Sequence, residues 1–228
     1  MSSDPAYRYA LYYAPEQSDP LWQAGCEWLG RSPLTGDPEP DQLSGTEEER
    51  VKLTASARRY GFHATIKAPI ALAGSVEDFL ADVAALAATV KPFTLPRLRI
   101  SEEDGFTALR PTVLNDTLLS AGETCVRMLD RHRRPESRDR AAARARHCTE
   151  RQKALLARWG YPYVCEEWRF HMTLADDILP PPFRSEVETL FAPALAMDRR
   201  LTSLCVFQEK SLGTPFTMLA RFPLVVQP

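Results

Sequence analysis

The feature that most constrains the fold of this 228-residue chain is a short pattern that occurs twice. Residues 62–66 read FHATI and residues 170–174 read FHMTL, so a histidine, a threonine two positions later and their apolar neighbours recur 108 residues apart. The composition and alternation of both segments predict strands. A pattern repeated in the same sequence surroundings is typical of an internal duplication.

The segments that follow each predicted strand repeat as well. Each strand is followed by a helical pattern and then by a hairpin pattern, in the same order. Ser75 is the predicted N-cap of the first helix, and Gly160 is a predicted helix C-cap. The predicted strands cover residues 61–72 and 166–178, the predicted helices cover 76–90 and 182–195, and the predicted hairpins cover 93–110 and 201–224. Residues 31–49 are predicted as a surface loop that leads into a helix near 47–58, and residues 115–160 as two helices around a charged hinge.

The duplication predicts one bilobal α+β domain over residues 1–228. Lobe one covers about 1–114 and lobe two about 161–228, with a basic helical insertion over about 115–160. From Arg127 to Lys153 the chain has ten basic and four acidic residues, a net charge of +6. Such a surplus describes either a solvated helix face or a wall that attracts anions toward a site.

The overall composition excludes several classes of protein. With a formal net charge of −2 and 44% hydrophobic residues, the chain is not a basic protein built to coat nucleic acid. We expect neither a secretory signal nor a membrane span, and therefore a cytoplasmic protein. The five cysteines are odd in number and form no C-x-x-C, so they predict buried thiols rather than disulfides or a zinc site.

Side chains alternate across a strand, so each repeated segment presents its polar residues on one face. Each of these faces is predicted to contain one histidine, one threonine and one cation, and the opposite face is apolar. The two sets are His63, Thr65 and Lys67 in the first strand, and His171, Thr173 and Arg169 in the second. The alternative is that the threonines and histidines are ordinary packing residues of two strands.

These residue types suit phosphodiester hydrolysis. The reaction needs a base for the attacking oxygen and an acid for the departing one, and imidazole can serve as either near neutral pH. Threonine hydroxyls can donate to the non-bridging oxygens, and Lys67 or Arg169 can add positive charge. The other two histidines, His132 and His147, are expected to face solvent, so the residues for a dinuclear metal site are hard to assemble.

At this point the sequence resembles the two-histidine (2H) phosphoesterase superfamily. Its two H-x-T motifs, one in each half of a duplicated chain, are the specific part of the resemblance. The segments RYALYYAP, LWQAGCEWLGR, RRYGFHATIKAPI, RQKALLARWGYPYV and EEWRFHMTLAD are similar to a bacterial branch found with carbon–phosphorus lyase genes and described as phosphonate metabolism proteins.

The resemblance implies two antiparallel sheets that face a central groove, with helices on the outer faces. It implies His63, Thr65, His171 and Thr173 as catalytic residues and no metal or cofactor. It also implies a cyclic phosphate or a 2′-linked phosphodiester as substrate, such as a cyclic phosphate of phosphoribose. We assign His171 as the base and His63 as the acid, and the reverse order stays open. We expect a monomer with no membrane partner.

Two other functions stay open from the sequence alone. The first is an RNA 2′,3′-cyclic phosphodiesterase or 2′,5′-RNA ligase-like enzyme, for which the +6 insertion would follow the RNA backbone. The second is a non-catalytic module that binds an anionic ligand in the groove.

Overall fold

A computed structural model describes residues 8–36 and 47–225 of the chain. Within these ranges the protein has the predicted α+β class, with nine strands and eight helices. The predicted loop over 31–49 lies partly outside the described residues. The strands are β1 (Arg8–Tyr13), β2 (Ala64–Ile70), β3 (Phe93–Thr94), β4 (Leu98–Ser101), β5 (Thr107–Pro111), β6 (Met172–Ala175), β7 (Arg200–Leu201), β8 (Ser203–Glu209) and β9 (Phe216–Pro223). The helices are α1 (Pro20–Leu29), α2 (Glu47–Leu53), α3 (Ala55–Tyr60), α4 (Val76–Ala87), α5 (Asp116–Met128), α6 (Arg138–Ala145), α7 (Glu150–Trp159) and α8 (Pro181–Leu195).

Seven of the strands form one antiparallel sheet in the order β4-β5-β6-β2-β1-β8-β9, and β3 pairs with β7 in a separate ribbon. The two sheets predicted from the resemblance are therefore joined edge to edge. The joint between β2 and β6 is narrow, because the only pair recorded there is Ala64 with Met172. The two histidine motifs lie at this joint.

Strand pairing crosses the two halves of the sequence. The early hairpin β4-β5 takes β6 from the late half as its neighbour, and the late hairpin β8-β9 pairs with β1 from the early half. Each half of the sheet therefore contains strands from both halves of the chain. The division into lobes at 114 and 161 stays a prediction.

Local capping explains where several helices begin and end. Asp19 accepts a hydrogen bond from the Leu21 backbone N–H (2.8 Å) at the start of α1. The predicted Ser75 cap is confirmed, because its hydroxyl accepts from the Asp78 N–H at 3.1 Å. Gly160 ends α7 in the left-handed region (φ 72°), which confirms the predicted C-cap.

The sequence predicts one helix over 47–58, and this prediction is wrong because the helix breaks at Thr54. There α2 ends and α3 begins. The carboxylate of Asp176, just beyond β6, accepts from the backbone N–H groups of Ser56 (2.6 Å) and Ala57 (3.3 Å). A distant side chain therefore caps α3, and a contact over this sequence distance has no local signal.

The predicted insertion contains three helices, α5 to α7, where the sequence indicates two. Its histidines differ in environment. His147 is exposed as expected, but the prediction for His132 is wrong. His132 is buried, its ring lies edge-on to Phe79 (centroids 5.4 Å apart), and its Nε2 bonds to Asp82. A carboxylate on α4 compensates for the burial of this ring.

The main core lies on the face of the sheet that α1, α4, α5 and α8 cover. Phe62, directly before the first histidine, is fully buried there. A Cβ at Gly25 of α1 would lie 2.1 Å from the Phe62 ring. Only glycine therefore lets α1 pack this closely against the residue that precedes His63.

A second, smaller apolar cluster covers the opposite face of β1 and β8. Its members include Ala10, Tyr12, Cys205, Phe207 and Phe216. None of the helices in the described ranges is long and apolar enough to cross a membrane.

Candidate active site

The two histidine motifs meet at the joint between β2 and β6. Ala64 pairs with Met172 in antiparallel register. Extended by one residue in each direction, this register places His63 opposite Thr173 and Thr65 opposite His171. The two histidines are then diagonal neighbours, with Cβ atoms on the order of 7–8 Å apart. Each imidazole therefore has the other motif's threonine as its cross-strand neighbour.

Burial along both segments agrees with the predicted alternation around the histidines. His63, Thr65, His171 and Thr173 are all half-buried, whereas Phe62, Ala64, Phe170 and Met172 are fully buried. The strands themselves are shorter than predicted. The strand predicted over 61–72 is observed over Ala64–Ile70, and the strand predicted over 166–178 is observed over Met172–Ala175. Each histidine therefore lies directly before the first residue of its strand.

Both imidazoles are oriented by the same backbone hydrogen bond. His63 Nδ1 lies 2.8 Å from the carbonyl oxygen of Gly61, and His171 Nδ1 lies 2.8 Å from that of Arg169. A carbonyl oxygen can only accept, so each Nδ1 carries the hydrogen. In the neutral ring, each Nε2 is then the atom that can accept a proton.

The surroundings of His63 are aromatic. Its ring stacks on Tyr12 with centroids 3.7 Å apart, and Tyr60 and Phe207 lie 6.3 Å and 6.2 Å away. Burial, and to a smaller extent the nearby His171, lower the pKa of His63 to about 4. The electrostatic effect of His171 agrees with the close approach that the strand register implies.

His63 has a partner at its second ring nitrogen. The Thr65 hydroxyl lies 3.1 Å from His63 Nε2 and can donate to it. Because Nδ1 is already committed to Gly61, the neutral tautomer with an unprotonated Nε2 satisfies both contacts. These two contacts therefore favour the neutral form of the His63 ring.

The surroundings of His171 contain a cation. Its ring lies edge-on to Phe106, with the two centroids 5.3 Å apart. The guanidinium of Arg110 lies over the Phe106 ring, 4.5 Å from its centroid. Burial lowers the pKa of His171, and the charge of Arg110 contributes in the same direction. Within the described part of the chain, no side chain bonds to His171 Nε2.

Arg110 was not predicted from the sequence as a site residue. The register of β5 and β6 pairs Leu109 with Met172, so Arg110 lies opposite His171. Its side chain is buried and donates to the carbonyl oxygens of Ser101 (3.1 Å) and Glu103 (2.7 Å). A charged residue in the otherwise apolar segment FTALR was the only available signal, and it did not reveal the strand partner.

Lys67 lies away from the two histidines. A register shift between Tyr12 and Leu11 interrupts the pairing of β1 and β2, and Lys67 lies opposite Leu11, a residue of the main core. The expected alternation therefore breaks at Lys67. Its ammonium group is buried, 3.3 Å from the Val126 carbonyl oxygen and 3.5 Å from the Asp130 carboxylate.

Arg169 is exposed beside the site. Its guanidinium donates to the carbonyl oxygens of Glu166 (2.8 Å) and Trp168 (3.1 Å), so its contacts are with its own chain segment. The substrate-binding roles of Lys67 and Arg169 stay predictions.

The arrangement can perform proton transfer on both sides of one small anion. Two neutral imidazoles with free or hydroxyl-bonded Nε2 atoms lie at diagonal positions of the joint between β2 and β6, and two threonines lie beside them. In residues 8–36 and 47–225, no group of three or more His, Cys, Asp or Glu side chains has the spacing to hold a metal ion.

Comparison with known proteins gives a family and two long relatives. A family model described as "Protein of unknown function (DUF1045)" matches residues 65–217. A protein of Janthinobacterium sp. (strain Marseille), named ribose 1,5-bisphosphate phosphokinase PhnN, is 38% identical over 237 residues, covering 98% of this chain and 52% of that protein. A protein of the same name from Laribacter hongkongensis (strain HLHK9) is 33% identical over 218 residues, covering 92% and 50%. The chain therefore spans about half the length of the relatives it matches.

Some solved structures align with nearly the whole chain, but their similarity to it in sequence and in backbone is low. One described as a phosphoesterase has a TM-score of 0.45 at 13% identity and covers 98% of this chain and 100% of its own. E. coli LigT in apo form has a TM-score of 0.44 at 14% identity, with the same coverage. At TM-scores below 0.5, these likenesses do not extend the chemistry of those proteins to this chain.

Proposed function

This chain belongs to the DUF1045 family of proteins of unknown function, and we propose that it is a phosphoesterase that hydrolyses a cyclic phosphate or a 2′-linked phosphodiester by two-histidine acid–base catalysis. The proposed catalytic residues are His63, Thr65, His171 and Thr173. The proposed reaction needs no metal ion.

One observation carries the proposal, namely the reciprocal placement of the two motifs. Each histidine has the threonine of the other strand as its neighbour, and both rings are oriented through Nδ1 by the carbonyl oxygen two residues earlier. An in-line displacement at phosphorus needs a base on one side and an acid on the other. Two Nε2 atoms at diagonal positions of one sheet face suit this requirement.

The electrostatics favour an order of roles opposite to the one favoured from the sequence. The pKa of His63 at about 4 keeps its ring neutral at physiological pH, and Thr65 donates to its Nε2. We therefore assign His63 as the base that takes a proton from the attacking water. His171 holds the proton on Nε2 and gives it to the departing oxygen.

The protonated state of His171 depends on the substrate. Burial and Arg110 lower its pKa in the free protein, but a phosphodiester anion between the rings favours a positive charge on one of them. The proton then goes to His171 rather than to the more strongly shifted His63. With substrate bound, the Thr65 hydroxyl turns from His63 Nε2 to a non-bridging oxygen, which frees Nε2 to take the proton from water. The Thr173 hydroxyl also donates to a non-bridging oxygen, where charge accumulates.

The names of the relatives support the proposed substrate class. The matched relatives are named for a kinase that acts on ribose 1,5-bisphosphate, and this chain corresponds to about half of their length. A phosphoesterase that opens a cyclic phosphate of phosphoribose would act on the same class of sugar phosphate. This proposal places the protein in phosphonate metabolism, as the sequence resemblance implies.

A kinase activity in this chain is the less favoured reading of those names. The P-loop that binds nucleotide phosphates in many kinases requires the pattern G-x-x-x-x-G-K-[S/T]. This pattern occurs nowhere in the 228 residues.

The test is hydrolysis of a panel of cyclic phosphates, including nucleoside 2′,3′-cyclic phosphates and a phosphoribosyl cyclic phosphate, with excess chelator present. We expect turnover that persists in chelator. His63→Ala and His171→Ala should each lower kcat by at least ~10²-fold, the usual scale for general acid–base groups. His147→Ala, which removes an exposed histidine of the insertion, is the matched control and should leave kcat unchanged. Complete loss of turnover in chelator would contradict the metal-free reaction.

RNA processing is the second candidate function, and the +6 segment between Arg127 and Lys153 favours it. RNA that follows this segment should bind less tightly as salt rises, with a slope set by the number of neutralised phosphates. Failure to bind RNA at low salt would leave only the small-molecule substrate.

A further inference from the structure

A cleft of about 210 Å³ lies between the sheet and the insertion, and its lining is strongly basic. The sheet contributes the end of β2 and the start of β1, and the insertion contributes α6 and the segment before it. Its charged lining residues are Arg8, Arg133, Arg134, Arg140, Arg144 and Glu136. Five guanidinium groups around one carboxylate attract anions.

Among the described residues, Glu136 pairs with Arg144 at 2.9 Å, and two other carboxylates beside the cleft are each shared by two cations. Glu209 bonds to both Arg8 (2.5 Å) and Arg59. Asp130 is shared in the same way, between Arg133 (2.9 Å) and Lys67 (3.5 Å). Each shared carboxylate thus leaves a surplus positive charge beside the cleft.

One arginine of the cleft has its full charge available. Arg134 is exposed, and its backbone N–H donates to the Ala71 carbonyl oxygen at 2.8 Å, which fixes the main chain. Its guanidinium has no ion pair within residues 8–36 and 47–225. A phosphate in the cleft would supply the missing partner.

Two other arginines are held in place by the C-terminal end of α7. Arg133 Nη2 donates to the Arg158 carbonyl oxygen (3.1 Å), and Arg144 Nη1 donates to that of Gly160 (3.2 Å). A Cβ at Gly160 would lie 2.7 Å from the Arg133 side chain, so the glycine permits this close approach. The wall of the cleft is therefore built by specific contacts and is more than a solvated helix face.

The cleft opens on the same face of the sheet as His63. Arg8, Ala10 and Tyr12 alternate along β1 in regular register with β8, so they share a face, and Tyr12 stacks on His63. Arg8 is four residues from Tyr12, roughly 13 Å along the strand. Tyr60 lies beside the histidine end of this path, with its ring centroid 6.3 Å from that of His63.

We propose that this arginine cleft binds a second phosphoryl group of the substrate while the phosphate to be hydrolysed lies between His63 and His171. The inference rests on the proposed function and extends it, because it specifies a substrate with two or more phosphates. The insertion then determines specificity: it supplies most of the guanidinium groups that distinguish a doubly phosphorylated substrate from a singly phosphorylated one.

The kinetic test compares adenosine 2′,3′-cyclic phosphate with the same compound bearing a 5′-triphosphate, whose terminal phosphate extends far enough from the cyclic one to reach the cleft. We expect the 5′-triphosphate to raise kcat/KM by about tenfold or more in the wild-type protein. Arg134→Ala combined with Arg140→Ala should abolish this advantage through KM, and kcat/KM for the 5′-hydroxyl compound should not change. The matched control, Arg138→Ala combined with Arg146→Ala, removes two charges from the same helix region outside the cleft and should keep the advantage.

A binding test separates failure of the cleft from failure of the catalytic proposal. Inorganic pyrophosphate is titrated calorimetrically into the wild-type protein, the two double arginine variants and His63→Ala combined with His171→Ala, each checked for an unchanged melting temperature. We expect the cleft variant to weaken pyrophosphate binding by about tenfold, while the histidine and control variants bind as the wild type does. Turnover is not needed for this result.

Three results would overturn the proposal. Pyrophosphate binding that depends on the histidines and not on Arg134 and Arg140 would place the anion only at the catalytic centre. Equal weakening by both arginine pairs would indicate general charge attraction. Loss of RNA binding in the cleft variant, with no effect on pyrophosphate binding or on the advantage of the 5′-triphosphate, would assign the surface to RNA instead.

Discussion

The His63 side and the His171 side of the site orient their rings by the same bond but surround them differently. Both use Nδ1 and the carbonyl oxygen two residues earlier, at 2.8 Å. On the first side Tyr12 covers the ring and Thr65 bonds to Nε2. On the second side Phe106 and Arg110 approach the ring. The repeated motif sets the orientation of the imidazoles, and the residues around each copy set its proton affinity.

This difference matters because two imidazoles in identical environments would have the same pKa. A pair with equal pKa values would have no preferred base and acid, whereas distinct environments separate the two roles. The stacked, hydroxyl-bonded His63 suits the base. The histidine with an unbonded Nε2 in the described part of the chain suits the acid.

The largest expected effect is on kcat of the two histidine variants, compared between a substrate with a poor leaving group and one with a good leaving group. For a diester with an alkoxide leaving group, His63→Ala and His171→Ala should each lower kcat by on the order of 10²–10⁴-fold. For a p-nitrophenyl diester, whose leaving group departs without a proton, the His171 variant should recover most of its rate and the His63 variant should not. The measurement is kcat for both substrates, with His147→Ala as control. Recovery of the rate in the His63 variant alone would make His63 the acid and His171 the base.

The next largest effect concerns the glycines behind the two motifs. A Cβ at Gly25 would lie 2.1 Å from Phe62, and one at Gly122 would lie 2.9 Å from Trp168. Gly25→Ala should lower the free energy of unfolding by about 2 kcal/mol or more, despite the gain in helix propensity of about 1 kcal/mol. Gly122→Ala should cost less, because its contact is longer. Urea unfolding measures both, and equal losses would show that the two sides are packed alike.

The sequence predicts the parts of this site that depend on local pattern. The H-x-T motifs, the alternation of His63 and Thr65, the Ser75 cap and the Gly160 cap all follow from residue spacing, and the α+β class is confirmed. The comparisons show that the chain belongs to the DUF1045 family and has relatives named ribose 1,5-bisphosphate phosphokinase PhnN.

The remaining features depend on contacts between distant residues. A register shift turns Lys67 toward Asp130, and the pairing of β5 with β6 brings Arg110 beside His171. The burial of His132 depends in the same way on Asp82, 50 positions earlier in the chain. None of these partners can be identified from periodicity within one segment, because periodicity specifies a face but not the neighbour across it.

A smaller effect should follow from removing the aromatic neighbours one at a time. Tyr12→Leu opens the ring of His63 to water, so the pKa of His63 should rise from about 4 toward its ordinary value. Phe106→Leu should change His171 less, because an edge contact at 5.3 Å covers less of the ring. NMR titration of the ring protons measures both pKa values. A larger change in the Phe106 variant would contradict the proposed contrast.

The smallest expected effect is on the pH dependence of the rate, which reports the pKa values of His63 and His171 without any change in their packing. The base must be neutral, so kcat/KM should rise with pH through the pKa of His63 at about 4. The acid must be protonated, so kcat/KM should fall as pH rises through the lowered pKa of His171, below 6.5. The bound anion stabilises the protonated ring, so the profile of kcat should lie at higher pH than that of kcat/KM.

In the residual activity, His63→Ala should remove the acidic limb and His171→Ala the alkaline limb. Both limbs persisting in either variant would mean that other groups carry the protons.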